Sequence, residues 1–112
     1  MNELNSVIIE GTIKEVSFPD LPNGKTVAKC TLINKRLIRN SNGETVDDSE
    51  IFDFEAWGAL ADFLKTHGNI NRGVRVVGRL KRNHWENNTK VVIVAEHIDF
   101  KPFVEETEEK NA

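Results

Sequence analysis

The sequence predicts an all-β protein with one short helix, whose elements follow the order β-β-β-α-β-β. Three observations lead to this prediction. Apolar side chains alternate with polar ones in several short runs rich in Val, Ile, Thr and Phe, which is the period of a β-strand. Residues 59–67 space their apolar side chains as a helix does, and clusters of Asn, Gly and Pro separate the runs. At 112 residues, the chain has the length of one domain that can support its own core.

A turn separates the first two predicted strands. Residues 5–18 form the first strand because β-branched side chains predominate, and Gly11 indicates a bend or a close backbone approach. Residues 22–24 (Pro-Asn-Gly) predict the turn, since proline presets φ and Asn and Gly tolerate positive φ. Residues 25–38 form the second strand, whose predicted core face carries Ala28, Cys30 and Leu32. A polar loop at residues 40–48 is long enough to project from the domain.

The third strand, residues 49–57, has the clearest difference between its two faces. One face carries Phe52, Phe54 and Ala56, and the other carries Ile51, Asp53, Glu55 and Trp57. The phenylalanine face is therefore predicted to be the core. Gly58 ends this strand, and residues 59–67 have the apolar spacing of a short amphipathic helix that Gly68 closes.

Two further strands complete the predicted domain. The fourth strand, residues 74–81, places Val74, Val76, Gly78 and Leu80 on one face, and a polar turn at residues 83–89 follows. The fifth strand, residues 90–100, is apolar on both faces, as expected where one face meets the core and the other a partner or a covering segment. Five strands with a helix after the third, and glycines to bend the sheet, fit a small barrel of the OB type. An SH3-like or a split barrel remains an alternative because the strand count is more secure than the topology.

Charge is unevenly distributed along the chain. The net charge of -3 argues against a nucleic-acid binder, whose domain is usually basic. The whole deficit lies in residues 104–112, a predicted disordered acidic tail, whereas residues 1–103, the predicted domain, hold 14 basic and 14 acidic side chains. Residues 29–39 and 72–82 contain basic side chains and no acid, and residues 40–62 contain seven acids and no base. The basic runs can form a stripe if the fold brings them together, or they can be solvated faces.

Other classes of function lack their sequence signals. Cys30 is the one cysteine, so no intrachain disulfide can form, and the three histidines show no metal-ligand spacing. Glycine-rich phosphate loops, nucleophile elbows and paired-histidine helices are missing from the sequence. No signal peptide or membrane span is visible. We therefore expect a soluble cytoplasmic protein that is not an enzyme and that uses no metal or cofactor.

Several short motifs occur along the chain in a characteristic order. They are Asn5 to Gly11, Pro22-Asn23-Gly24, Ala28 with Thr31-Leu32, Trp57-Gly58 before Leu60-Ala61, and Gly73 to Leu80 before Trp85. Together they resemble the bacterial single-stranded DNA-binding protein family over most of the chain. The resemblance implies an OB-fold that wraps single-stranded DNA in replication, recombination and repair, on the nucleoid in the cytoplasm. It also implies a homo-oligomer, with a tetramer favoured and a dimer as the alternative.

The resemblance further implies which side chains contact DNA. The family stacks bases on aromatic side chains, and the match places Trp57 and Trp85 at two such positions. Ile38 and Ile51 stand where the family often has tryptophan, and they offer apolar contact with less stacking energy. A stacked base contributes about 1–3 kcal/mol. The alternatives are that Trp57 plugs the barrel end and that Trp85 anchors its hairpin.

The cations beside these positions complete the predicted interface. Those in the second and fourth strands border the nucleic-acid face of an OB barrel, which makes them candidate phosphate contacts. The set is Lys35, Arg36, Arg39, Arg79, Lys81 and Arg82. We expect single-stranded DNA as the partner, replication or repair proteins as further candidates, and an affinity that falls steeply with salt. The alternative, favoured by the acidic third strand and loop, is a protein-interaction module of a replication or primosome-like assembly with weak nucleic-acid binding.

Overall fold

The computed structural model describes residues 2–102, so the predicted acidic tail at residues 104–112 lies outside the described residues. The elements are β1 (Val7–Ser17), β2 (Val27–Asn34), β3 (Leu37–Arg39), β4 (Thr45–Asp47), β5 (Glu50–Trp57), α1 (Ala59–His67), β6 (Gly73–Trp85) and β7 (Asn88–Phe100). A closed barrel forms in the strand order β1-β2-β5-β7-β6, and β3 and β4 form a separate two-stranded sheet. The five barrel strands and the helix have the predicted order, to which the short β3–β4 hairpin is an addition.

Antiparallel pairing joins all neighbouring strands of the barrel except β5 and β7, which run parallel and close it. Two glycines allow the strands to approach closely. A Cβ on Gly11 would collide with the carbonyl oxygen of Ile33, and one on Gly78 with the carbonyl oxygen of Val94. The ladder also shifts register between Val77 and Gly78, where a bulge bends β6 and β7.

The core fills the barrel and extends under α1. Its members include Ile13, Ala28, Cys30, Leu32, Phe54, Ala56, Val74, Val76, Ile93 and Ile98. The helix contributes Ala61 and Leu64, and its last turn is closed by the Gly68 N–H, which donates to the Leu64 carbonyl at 2.7 Å. The predicted core face of β2 is therefore confirmed, and so is the small core residue Cys30.

One predicted core position is wrong, and one prediction is refined. Phe52 is exposed because the pairing of β5 with β7 begins only at Phe54, which leaves Phe52 without a strand neighbour on that side. The fifth strand is indeed apolar on both faces, and its stretch from Val92 to Ala95 is buried within this single chain. The second apolar face of β7 is thus covered by the chain's own segments.

Three predicted boundaries also need correction. The second strand ends at Asn34 and not at Ile38, because the chain turns there into the β3–β4 hairpin, which replaces part of the predicted 40–48 loop. The predicted turn at residues 83–89 is a two-residue turn, since β6 continues to Trp85 and pairs with Asn88. These polar residues have low strand propensity, but the long antiparallel ladder overrides it. Trp85 accordingly stands at the end of a strand and not in a loop.

Candidate nucleic-acid interface

A groove of about 840 Å³ lies on the outer face of β2 and β5. Cross-strand pairs of that face form its floor, among them Lys29 with Glu55 and Thr31 with Asp53. The far end of the β6–β7 hairpin supplies one wall through Asn83, His84, Trp85, Lys90 and Val92. Strand alternation places these floor side chains opposite the core, which is why the same strands build both the barrel and the groove.

The structure places both predicted stacking residues in this groove. Trp57 ends β5, where Gly58 at a φ of 60° turns the chain into α1. Trp85 ends β6. Their side chains are partly open to solvent, with exposed fractions of 39% for Trp57 and 49% for Trp85. Each ring therefore retains surface that a planar ligand can cover.

A buried carboxylate lies beside Trp57. Glu55 is 4% exposed and is the one charged side chain that is buried within residues 2–102. Its Oε1 accepts a hydrogen bond from the Trp57 indole Nε1 at 3.1 Å, and its Oε2 accepts one from the Asn83 amide Nδ2 at 3.2 Å. Glu55 therefore connects a tryptophan of β5 to the hairpin that carries the other tryptophan.

A second carboxylate of the floor forms an ion pair. Asp53 Oδ2 pairs with the Lys90 ammonium, and its Oδ1 accepts a hydrogen bond from the Thr31 hydroxyl at 3.1 Å. The Lys90 side chain remains about half exposed. The groove thus holds two lysines, Lys29 and Lys90, together with the carboxylates of Glu15, Asp53 and Glu55.

The predicted phosphate contacts fall into separate groups. All six are exposed, and none lines the groove itself. Arg79 and Lys81 alternate with Asn83 and Trp85 on one face of β6, so they continue the wall of the groove along the hairpin. Arg82 lies on the opposite face of that strand. Of the other three, Lys35 and Arg36 lie between β2 and β3, and Arg39 ends β3, and none of them lines the groove.

The two predicted isoleucines lie outside the groove, on different sheets. Ile51 pairs with Ile33 and shares its strand face with Asp53, Glu55 and Trp57. It stands six residues from Trp57, which is about 20 Å along a strand. Ile38 pairs with Val46 in the β3–β4 hairpin, and both isoleucines are exposed. Both therefore offer exposed apolar surface outside the groove.

Comparison with known proteins decides the family. The model of the single-strand binding protein family matches residues 4–101 of the chain. The chain belongs to this family. It is 35% identical over 100 residues to the single-stranded DNA-binding protein of Aquifex aeolicus, covering 85% of this chain and 68% of that protein. It is 28% identical over 86 residues to the single-stranded DNA-binding protein 1 of Chlorobaculum tepidum, covering 76% of this chain and 53% of that protein.

Solved structures of single-strand binding proteins show the same fold. The Plasmodium falciparum SSB in complex with ssDNA superposes with a TM-score of 0.78 at 21% identity, covering 91% of this chain and 100% of that chain. The wild-type single-stranded DNA-binding protein of Thermus aquaticus gives a TM-score of 0.75 at 21% identity, covering 88% of this chain and 50% of that chain. The predicted OB-fold barrel and the predicted family are both confirmed.

For this single-strand binding protein, sequence reasoning missed the two hairpin residues that contact the carboxylates of the floor. Lys90 lies outside both basic runs, and Asn83 was assigned to a turn. Alternation along the third strand did place Asp53 and Glu55 on the face of Trp57, but it does not indicate what their carboxylates contact. Their partners come from the hairpin, and the sequence carries no signal for how that hairpin folds over β5.

Within residues 2–102, no three His, Cys, Asp or Glu side chains gather as a metal site would require, and no helix has the length and hydropathy of a membrane span. Burial raises the pKa of the Cys30 thiol to about 12. The thiol is therefore protonated at neutral pH and acts as a packing group.

Proposed function

We propose that this chain binds single-stranded DNA without sequence preference, by stacking bases on Trp57 and Trp85 and by contacting phosphates with lysine and arginine side chains. One observation supports the proposal above the others: two partly exposed tryptophans from different strands line the same groove, together with Lys29 and Lys90. Stacking is tolerant of sequence because every base has a π-face, and it contributes about 1–3 kcal/mol for each base. Membership of the single-strand binding protein family supports the same function.

The phosphate contacts extend from the groove along the chain's exposed cations. Lys90 and Lys29 serve the groove itself, and Arg79 and Lys81 continue along the hairpin wall. Lys35, Arg36, Arg39 and Arg82 serve a strand that continues past the groove, with Ile51 and Ile38 as apolar contacts. Each neutralised phosphate releases counterions, so the affinity falls as salt rises.

Assembly and cellular role follow the family. The protein acts as a homo-oligomer, with a tetramer favoured over a dimer, and exposed apolar side chains such as Ile8, Phe52 and Val91 offer surface for such contacts. It works on the nucleoid in the cytoplasm during replication, recombination and repair, without catalysis or a cofactor. Replication and repair proteins are further partners.

A direct titration tests the proposal. Intrinsic tryptophan fluorescence is followed while an unstructured oligothymidylate is added at low salt, and strong quenching is expected because both tryptophans contact bases. Added salt should then reverse the quenching. An unchanged signal from protein with intact far-UV circular dichroism contradicts the function.

A second candidate function is a protein-interaction module of a replication or primosome-like assembly. It is favoured by the carboxylates of Glu15, Asp53 and Glu55 in the groove, which repel phosphates. This candidate predicts little quenching by oligothymidylate at any salt concentration. The same titration therefore separates the two functions.

A further inference from the structure

The short distance between the Asn83 and Glu55 side chains shows how the end of the β6–β7 hairpin is folded. Glu55 lies alongside Val94 in the parallel pair of β5 and β7, whereas Asn83 pairs with Lys90 on the other side of β7. In a flat sheet of this register, the two Cα atoms would be about 16 Å apart. The amide Nδ2 and carboxylate Oε2 are nevertheless 3.2 Å apart. The end of the hairpin therefore curls over the outer face of β5.

The buried Glu55 carboxylate needs hydrogen-bond donors from both Trp57 and Asn83. A buried carboxylate is unfavourable unless donors satisfy its oxygens. Glu55 receives one donor from Trp57 and one from Asn83, both of them uncharged. The indole N–H points at Oε1, which restricts rotation of the Trp57 ring about its side-chain bonds. The same carboxylate thereby holds the ring on one wall and the hairpin on the other.

We propose that Glu55 is a positioning residue, which fixes the Trp57 ring and the curled hairpin so that Trp57 and Trp85 stand at a constant separation across the groove. The consequence for DNA rests on the proposed function, but the link itself exists without DNA. Glu55 thus favours binding although its charge alone would oppose it. The two effects have opposite signs, so substitutions can separate them.

Removal of the side chain gives the first test. Glu55→Ala removes one negative charge and both hydrogen bonds, and we expect oligothymidylate affinity to fall about tenfold, as for the loss of one stacking contact. The matched control is Glu15→Ala, which removes a negative charge from the same groove and should tighten binding. Tighter binding by Glu55→Ala would show that the carboxylate acts by charge alone and would overturn the proposal.

The second test exchanges the donor and the acceptor between positions 55 and 83. It keeps the proposal testable if the Glu55→Ala variant fails to fold. Asn83→Asp sets two carboxylates against each other and should weaken binding, while Glu55→Gln keeps an acceptor for Trp57 but sets an amide against the Asn83 amide and should weaken binding less than Glu55→Ala does. In the combined variant, the new amide at position 55 donates to the new carboxylate at position 83, and affinity should return to within about threefold of the parent. Additive effects of the two substitutions, as charge alone predicts, contradict the link.

A measurement without DNA separates failure of this inference from failure of the proposed function. In a Trp85→Phe background, Trp57 supplies the one indole N–H signal in a nitrogen–proton spectrum, because the chain has two tryptophans. Glu55→Ala should shift this signal upfield and speed its exchange with water. An unmoved signal would overturn the positioning role even if DNA binds, and a moved one would support it even if DNA does not.

Discussion

The ammonium of Lys90 pairs with the carboxylate of Asp53 on the floor of the groove, so that a cation of the candidate interface is already held by the protein. An incoming phosphate has to compete with Asp53 for this lysine. Asp53 also holds Thr31, which keeps its carboxylate in place. The Asp53–Lys90 ion pair therefore lowers the affinity of the groove for DNA, and substitution of Asp53 should remove this effect.

Asp53→Asn is expected to strengthen binding to oligothymidylate several-fold at low salt, because Lys90 becomes available to a phosphate. The plot of log affinity against log salt should steepen by about 0.7, the value for one more phosphate contact on a single strand. Fluorescence titrations over a salt series measure both quantities. Glu44→Gln, which removes an exposed acid outside the groove, is the control and should change the slope little. An unchanged slope in Asp53→Asn would show that Lys90 does not meet DNA.

Trp57→Ala and Trp85→Ala should each weaken DNA binding by about 1–3 kcal/mol, the contribution of one stacked base. Their effects on stability should differ, because Trp57 donates to buried Glu55 whereas Trp85 stands at the hairpin end. Anisotropy of a labelled oligonucleotide gives the affinities, and thermal unfolding gives the stabilities. Phenylalanine keeps a π-face and is the matched control at position 85, whereas at position 57 it also removes the donor to Glu55. A Trp85→Ala variant with full affinity would exclude stacking at that position.

Gly78→Ala should destabilise the barrel by about 1–3 kcal/mol, the usual effect of forcing extra atoms into a packed site. A Cβ there would collide with the Val94 carbonyl oxygen beside the bulge. The control is Gly73→Ala, whose Cβ would meet the flexible Lys101 side chain at an ordinary 3.4 Å. Chemical denaturation of the three proteins measures the difference. Equal stability of the two variants would mean that the strands can separate without penalty.

Glu10, Arg75 and Lys101 form an ion cluster on the outer face of β1, and this cluster should make the stability of the fold depend on pH. Hydrogen bonds from Lys101 and then Arg75 hold the pKa of the Glu10 carboxyl below its ordinary value of 4.5. A lowered pKa means that the ionised form stabilises the fold above pH 4.5, and that this contribution disappears as pH falls through the folded-state value. Glu10→Gln should therefore melt at a lower temperature than the parent at neutral pH, with the gap closing in acid. Because the group is exposed, salt should shrink the gap. A gap that persists in acid and high salt contradicts the electrostatic origin.

Much of the fold was predictable from alternation alone. Alternation correctly predicted the core faces of β2 and β5, which carry Cys30, Leu32 and Phe54. Gly11 lies where two strands approach closely, as a glycine within a strand predicts. The prediction for Phe52 is wrong because alternation indicates which face of a strand a side chain occupies, but not where along the strand the barrel ends. The hairpin end differs from the prediction because the local propensity of its polar residues favours a turn, whereas pairing of β6 with the adjacent β7 keeps them extended.

The candidate site was predictable in its aromatic part and less so in its polar part. Trp57 and Trp85 lie in one groove, as their family positions suggested. The contacts of Glu55 with Asn83 and of Asp53 with Lys90 join residues that are 28 and 37 positions apart, which no local pattern encodes. They depend on how far the hairpin curls, a property of the whole barrel.

The burial of Cys30 makes this chain convenient to label. Its thiol lies inside the barrel and stays protonated at neutral pH, and it is the one cysteine of the sequence. Maleimide dyes react with exposed thiolates and will leave it intact while the fold holds. A cysteine introduced at the hairpin turn, as in Asn87→Cys, would accept a single fluorophore without prior removal of the native one. Movement of the hairpin on ligand binding can then be followed by fluorescence on otherwise unaltered protein.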